Sequence, residues 1–192
     1  MEPDSDVTLM QRLRGGEDTA LNELMQRWQE PLVAFIYRYT GHHEDAVDLA
    51  QETFVRIYES RSRYEPRGRF STWLFTIASN LCHNHARWRA RHPTVSIYAP
   101  ANGSDGITLE ETLCSPGGTP ADTAEREDLA SAVREFVQQL PHDLKTALLL
   151  FEYQELSHAE IAEVLSCTPK AVETRLYRAR NLLRKDLAPW HT

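Results

Sequence analysis

The 192-residue chain contains no apolar stretch able to cross a bilayer. Runs such as Ala147 to Phe151 fall far short of the ~20 residues a spanning helix needs. No signal peptide is expected, because the sequence opens Met1-Glu2-Pro3-Asp4 without the basic-then-apolar order of such leaders. A cytoplasmic protein is expected. Cysteine is scarce: Cys82, Cys114 and Cys167 form no CxxC pair, so neither a disulfide framework nor a standard zinc site is signalled. There is no glycine-rich phosphate loop, HExxH pair or nucleophile elbow, and hence no sign of an enzyme or of a cofactor.

One cluster tempers those absences. Cys82, His83 and His85 stand close together, and positions 82 and 85 can share a helix face. A metal would need a fourth ligand from elsewhere. A small buried thiol beside polar histidines accounts for the same residues, and no metal is assigned.

Hydrophobic content of 41% with 26% charged residues is that of an ordinary globular chain of one or two domains. The net charge of −7 argues superficially against nucleic acid, but its distribution argues the other way. Residues 1–60 carry 5 basic and 12 acidic groups, residues 61–92 carry 7 and 1, residues 93–155 carry 3 and 11, and residues 156–192 carry 6 and 4. Two basic segments set between acidic ones point to two places that touch phosphate.

No strand-like alternation is visible, and the helical period dominates. From Asp45 to Glu59, Val47, Ala50, Phe54 and Ile57 form one apolar stripe, with Asp45, Asp48, Glu52, Arg56 and Glu59 on another face. Such a helix buries one side and offers a mostly acidic side to solvent or a partner. A second helix is predicted from Ser71-Thr72, either of which can cap it. Leu74, Ile77, Ala78, Leu81, His85 and Trp88 lie inward, and Thr76, Asn80, His83, Asn84, Arg87 and Arg91 outward. Between the two helices, residues 61–70 combine Pro, Gly, four arginines and the aromatics Tyr64 and Phe70.

The period fails from Pro93 to about Asp122, where proline, glycine, serine and threonine are frequent. Thirty residues without a packed pattern read as a linker. Helical pattern then resumes from Thr123 to Gln139, breaks at Pro141, and restarts with Asp143 as a candidate cap. Ser157-His158-Ala159-Glu160 has the form of a capping box. Ile161, Ala162, Val164 and Leu165 follow inward, Ser166-Cys167 makes a turn, Thr168 caps, and Pro169 takes the first helical position. The last helix carries Ala171, Val172, Leu176, Ala179 and Leu183 inward.

Residues 156–185 thus form a helix-turn-helix candidate. Its second helix leaves Lys170, Thr174, Arg175, Tyr177, Arg178 and Arg180 for outside surfaces. Arginine suits guanine edges and phosphates, and threonine and tyrosine reach bases or sugars. A helical hairpin with a solvated basic face is the simpler alternative.

The segment Ser157 to Arg180 resembles the region that reads the −35 element in sigma-70-type sigma factors. Asp48-Leu-Ala-Gln-Glu-Thr-Phe54 resembles the segment that docks on the polymerase clamp, and Phe70 to Asn80 resembles the −10 recognition helix. Three such segments in this order, over roughly residues 5–187, are similar to the extracytoplasmic-function class. The resemblance implies an all-α protein of two helical domains, 5–92 and 123–187, joined by the linker 93–122. Its implied partners are core RNA polymerase, promoter DNA and an anti-sigma factor. Asp48, Gln51 and Glu52 are then expected to bind core polymerase. Arg61, Arg63, Tyr64, Asn80, His83, Asn84 and Arg87 are expected at the −10 element, with Asn80 best suited to base edges and Trp73 in the core. Thr174, Tyr177 and Arg178 are expected on −35 bases, with Lys170 and Arg175 on phosphates.

Two departures from the family pattern stand out. Ser166 replaces the usual turn glycine, and Glu173 either repels phosphate or selects cytosine. In the linker, Glu110 and Glu111 fit either a nucleic-acid mimic near the RNA exit path or a plain tether. A free-standing helix-turn-helix regulator is the rival reading, although the sequence offers no dimerisation heptads.

Overall fold

A computed structural model of the protein describes residues 5–65, 68–92 and 120–188, without the side chains of 120–127. The described residues are all-α: α1 (Ser5–Arg14), α2 (Thr19–Thr40), α3 (His43–Ser60), a 3-10 turn (Arg61–Arg63), α4 (Phe70–Arg91), α5 (Pro120–Gln139), α6 (His142–Tyr153), α7 (His158–Val164) and α8 (Pro169–Asp186). Glu110, Glu111 and nearly all of the expected linker lie outside them. Helix α5 starts at Pro120, inside the stretch read as linker. Proline suits a first helical turn because its missing N–H has no intrahelical partner there.

The N-terminal group packs α1–α4 around aromatic rings. Phe75 is fully buried and meets Phe35 at 5.2 Å and Trp28 at 6.1 Å, edge to face. Helix α1 is pinned through the buried Asp6, which accepts from Arg27 Nη1 at 2.8 Å and Trp28 Nε1 at 2.9 Å. Helix α2 runs through Pro31, which costs roughly 3 kcal/mol in a helix interior. Burial of Leu24, Leu32, Phe35, Ile36 and Tyr39, at about 1.5–3 kcal/mol each, outweighs that cost. The helix ends at Gly41, whose φ of 78° suits a residue without Cβ.

The acidic-faced helix is present as α3, but its buried residues are Ala46, Ala50, Thr53, Phe54 and Ile57, and Val47 is only half-buried. Thr53 fits an apolar face because its hydroxyl donates to the Leu49 carbonyl at 2.7 Å. Helix α4 starts at Phe70, and Ser71 and Thr72 are buried within it rather than capping it. Its buried face is Phe70, Leu74, Phe75, Ala78, Leu81 and Cys82. Trp88, expected inward, is 50% exposed and stacks on His92 at 5.0 Å. The core ends before the last turns of this long helix reach it.

In the C-terminal group, α5–α8 bury Phe136, Val137, Leu149, Leu150, Ile161, Val172, Leu176 and Ala179, among others. Asp143 does not cap α6, because Pro141 occupies the N-cap. The capping box of α7 is complete: the Glu160 N–H donates to Ser157 Oγ at 3.3 Å, and the Ser157 N–H donates to Glu160 Oε2 at 2.8 Å. Thr168 Oγ1 accepts from the Ala171 N–H at 3.2 Å to start α8, with Pro169 first inside.

Ser166 adopts a φ of 49°, the left-handed conformation that usually selects glycine at this turn. That conformation costs a side-chain-bearing residue roughly 1–2 kcal/mol, and glycine loses about 0.5–1 kcal/mol in chain entropy. Ser166→Gly should therefore stabilise the protein by about 0.5–1 kcal/mol, raising its thermal midpoint by roughly 1–4 °C. Differential scanning calorimetry checks this. An unchanged or lower midpoint would show that the turn carries no strain.

Candidate nucleic-acid and polymerase interfaces

Helix α8 is anchored by three apolar residues and leaves its opposite face outward. Lys170, Thr174, Tyr177 and Arg178 are exposed, Tyr177 at 68%. Arg178 makes no ion pair among the described residues. Thr174 Oγ1 donates back to the Lys170 carbonyl at 3.0 Å, which fixes its methyl group outward. Glu173 pairs with Lys170 one turn back, and that lysine lowers its carboxyl below the usual range. The carboxylate is thereby paired within the helix.

Arg175 differs from its expected place on a phosphate-facing surface. Its guanidinium is bound to Asp143 Oδ2 at 2.6 Å and lies 2.8 Å from Cys167 Sγ, with the side chain 21% exposed. Position 175 is one residue from Leu176 and three from Val172, so it flanks the buried stripe and turns towards α6. Arg180 is also engaged: it pairs with Glu152 at 2.8 Å and covers the Phe151 ring at 5.2 Å.

On α4, Asn80, Asn84 and Arg87 are exposed along one face, as expected. His83, on the edge of that face, stacks at 4.2 Å on His142 of α6. In the preceding turn Arg63 is exposed, whereas Arg61 lies 3.9 Å over the Tyr58 ring and donates to the Tyr58 carbonyl at 2.7 Å. Tyr64 departs from its expected role on bases. Its ring is buried, 4.9 Å from half-buried Trp73, because the extended backbone after the 3-10 turn points it into the core. Trp73 takes the core place expected of it.

Helix α3 presents Asp48, Gln51 and Glu52 outward, with Glu52 accepting from Arg56 at 2.8 Å. Asp45, grouped with them by period, is instead held by Arg89 at 2.7 Å and faces His85 at 3.6 Å, both from α4. Val55, on the same helix face as Asp48 and Glu52, is 50% exposed. It went unread in the sequence, although an apolar residue on a charged stripe is the available signal. An apolar centre with a polar rim is the anatomy of a protein interface.

The Cys82, His83 and His85 side chains go three separate ways. Cys82 is buried, where desolvation pushes its thiol up to about 12, His83 turns to α6, and His85 turns to α3. Among the described residues, no group of three or more histidine, cysteine or carboxylate side chains is placed to hold a metal. No helix among the described residues is long and apolar enough to cross a membrane.

The arrangement is that of a helical DNA-binding protein with a helix-turn-helix in its C-terminal group and a second polar helix face in its N-terminal group. Comparison with known proteins gives the family. Residues 24–92 match sigma-70 region 2, and residues 130–183 match sigma-70 region 4. The chain is 31% identical over 193 residues to the RNA polymerase sigma-H factor of Pseudomonas aeruginosa, covering 97% of this chain and 95% of that one. It is 30% identical over 178 residues to the ECF RNA polymerase sigma factor SigW of Bacillus subtilis, covering 93% and 94%. The fold resembles CnrH, solved in complex with the cytosolic domain of CnrY, with a TM-score of 0.70 at 23% identity over 98% of this chain and 100% of that one. The chain belongs to the extracytoplasmic-function group of the sigma-70 family.

Proposed function

We propose that this sigma factor divides its work among three helix faces. The acidic α3 face of Asp48, Gln51 and Glu52, continued one turn on by Val55, docks on core polymerase. The α4 face of Asn80, His83, Asn84 and Arg87, with Arg61 and Arg63 before it, takes the −10 element. The α8 face of Lys170, Thr174, Tyr177 and Arg178 reads the −35 duplex. Domain boundaries at 5–92 and 123–187 go with this division. The protein performs no chemistry of its own. It acts in the cytoplasm, where polymerase and promoter DNA are.

One observation carries the reading. Polar and basic faces lie outward on α4 and α8, two helices separated in the chain by the linker, while the outward face of α3 is acidic. Faces of opposite charge suit different partners. A free-standing regulator would need only one DNA-reading helix and leaves the α3 face without a purpose. Family membership also supports a protein partner that sequesters the chain, an anti-sigma factor.

Reconstitution with core polymerase, followed by mapping of transcription starts, tests the whole. Arg178→Ala should weaken promoter-dependent transcription about tenfold, within the ~1–3 kcal/mol of a good base contact, and leave core co-migration intact. Arg175→Ala should instead lower the thermal midpoint, since it removes the link from α8 to α6. Unchanged transcription from a mapped promoter in Arg178→Ala would remove that residue from the interface.

A further inference from the structure

The C-terminal helices lie against the N-terminal group on the side that carries the start of α4. Gln138 Nε2 donates to the Arg38 carbonyl at 2.9 Å, and Lys145 Nζ donates to the carbonyls of Gln138 at 2.9 Å and Tyr39 at 3.3 Å. Arg38 lies 4.2 Å over the Tyr153 ring. Arg69, at the mouth of the expected −10 loop, pairs with Glu160 of the helix-turn-helix at 3.2 Å. A Cβ placed on Gly68 would come within 3.4 Å of Glu163 Oε2. At the centre sits His142, stacked on His83 with the rings 4.2 Å apart and 30° from parallel. Its Nδ1 lies 2.9 Å from the Tyr39 hydroxyl and 3.3 Å from Thr146 Oγ1.

We propose that the His83–His142 stack is a proton-operated latch: with His142 neutral, the stack holds the helix-turn-helix group over the −10 side of α4, and protonation of His142 releases it. With Nδ1 unprotonated, the Tyr39 phenol donates to it, and a second ring proton removes that acceptor. The surroundings oppose the charge from every side. Burial foremost, then the His83 ring of α4, Lys145 of α6 and Arg175 of α8 disfavour the imidazolium, and only Asp143 of α6 favours it. Tyr39 of α2 and Cys82 of α4 supply no counter-charge, since burial raises both above their ordinary values. Burial likewise pulls Lys145 down from its ordinary value.

The direction of the effect follows. Packed His142 sits at about 4 against an ordinary 6.5. The closed form therefore keeps its full advantage above pH 6.5 and loses it progressively as pH falls towards 4. Each unit between the two values changes the closed-to-open ratio about tenfold, up to roughly 300-fold. His83 is a candidate −10 contact, so its availability to DNA would rise with opening. That consequence rests on the reading of α4 given above, whereas the latch itself does not.

Small-angle scattering of the full chain between pH 7.5 and 4.5, with helix content followed by circular dichroism, tests the latch. The wild type should expand between pH 6.5 and 4 with its helices intact. His142→Phe, which keeps a stacking ring and cannot be charged, should stay compact, and His142→Arg should be expanded already at pH 7.5. No expansion of the wild type, or the same expansion or helix loss in wild type and His142→Phe alike, overturns the proposal. Binding of a single-stranded −10 oligonucleotide at pH 7.5 separates the two readings. An expanded His142→Arg that binds it more tightly than His142→Phe supports both. An expanded variant that binds no better keeps the latch and overturns the assignment of α4.

Discussion

Replacing Asp48 and Glu52 together by lysine is expected to abolish co-migration of the protein with core polymerase. Both carboxylates lie on the outward face of α3, one and two turns before the half-exposed Val55. Reversing a charge within a complementary interface costs several kcal/mol, because an attraction is lost and a like-charge contact replaces it. Two reversals should therefore weaken binding by more than about a thousandfold. The folded chain loses little by comparison. The Glu52–Arg56 pair is exposed, and such i,i+4 pairs contribute about 0.3–0.5 kcal/mol. Native gel co-migration measures the first effect, and calorimetry measures the second. A double variant that still travels with core enzyme at wild-type concentrations would remove this face from the docking surface.

The largest effect on stability is expected at Phe75. Its ring is fully buried and makes edge-to-face contacts with Phe35 and Trp28, so it ties α4 to α2. Truncation to alanine removes transfer free energy and leaves a cavity lined by rings that cannot collapse into it, a loss of about 3–5 kcal/mol. For a chain of this length that lowers the thermal midpoint by roughly 6–20 °C. Phe75→Leu keeps most of the volume and should lose far less. Equal losses for the two substitutions would mean that the site relaxes, and that the aromatic cluster does not organise the N-terminal group. The −10 face of Asn80, Asn84 and Arg87 lies on the same helix, so Phe75→Ala should weaken its presentation as well.

Much of this architecture could be read directly. The helix over 45–59, the capping box at Ser157, and Thr168-Pro169 at the head of α8 each depend on neighbours within one or two turns, and each is present. The outward positions of Asn80, Asn84, Thr174, Tyr177 and Arg178 follow from the same local period. Helices α1 and α2 were not legible. A helix containing Pro31 contradicts local propensity and exists because its face is buried against α3 and α4. The errors at α6 and α4 were errors of capping: Asp143 and Ser71-Thr72 are residue types that cap, but the chain enters those helices at Pro141 and Arg69.

Most outward positions of α3, α4 and α8 were thus determined by sequence alone, because the 3.6-residue period sets which side chains share a face whatever the helix packs against. Which outward residues stay available was decided only by tertiary structure. Asp45 is taken by Arg89 across 44 residues, and Arg175 by Asp143 across 32. Tyr64 is drawn into the core, and His83 is covered by a histidine of the other helical group. Partners so distant in the chain leave no mark in local periodicity, since an ion pair or a ring stack depends on where two helices cross.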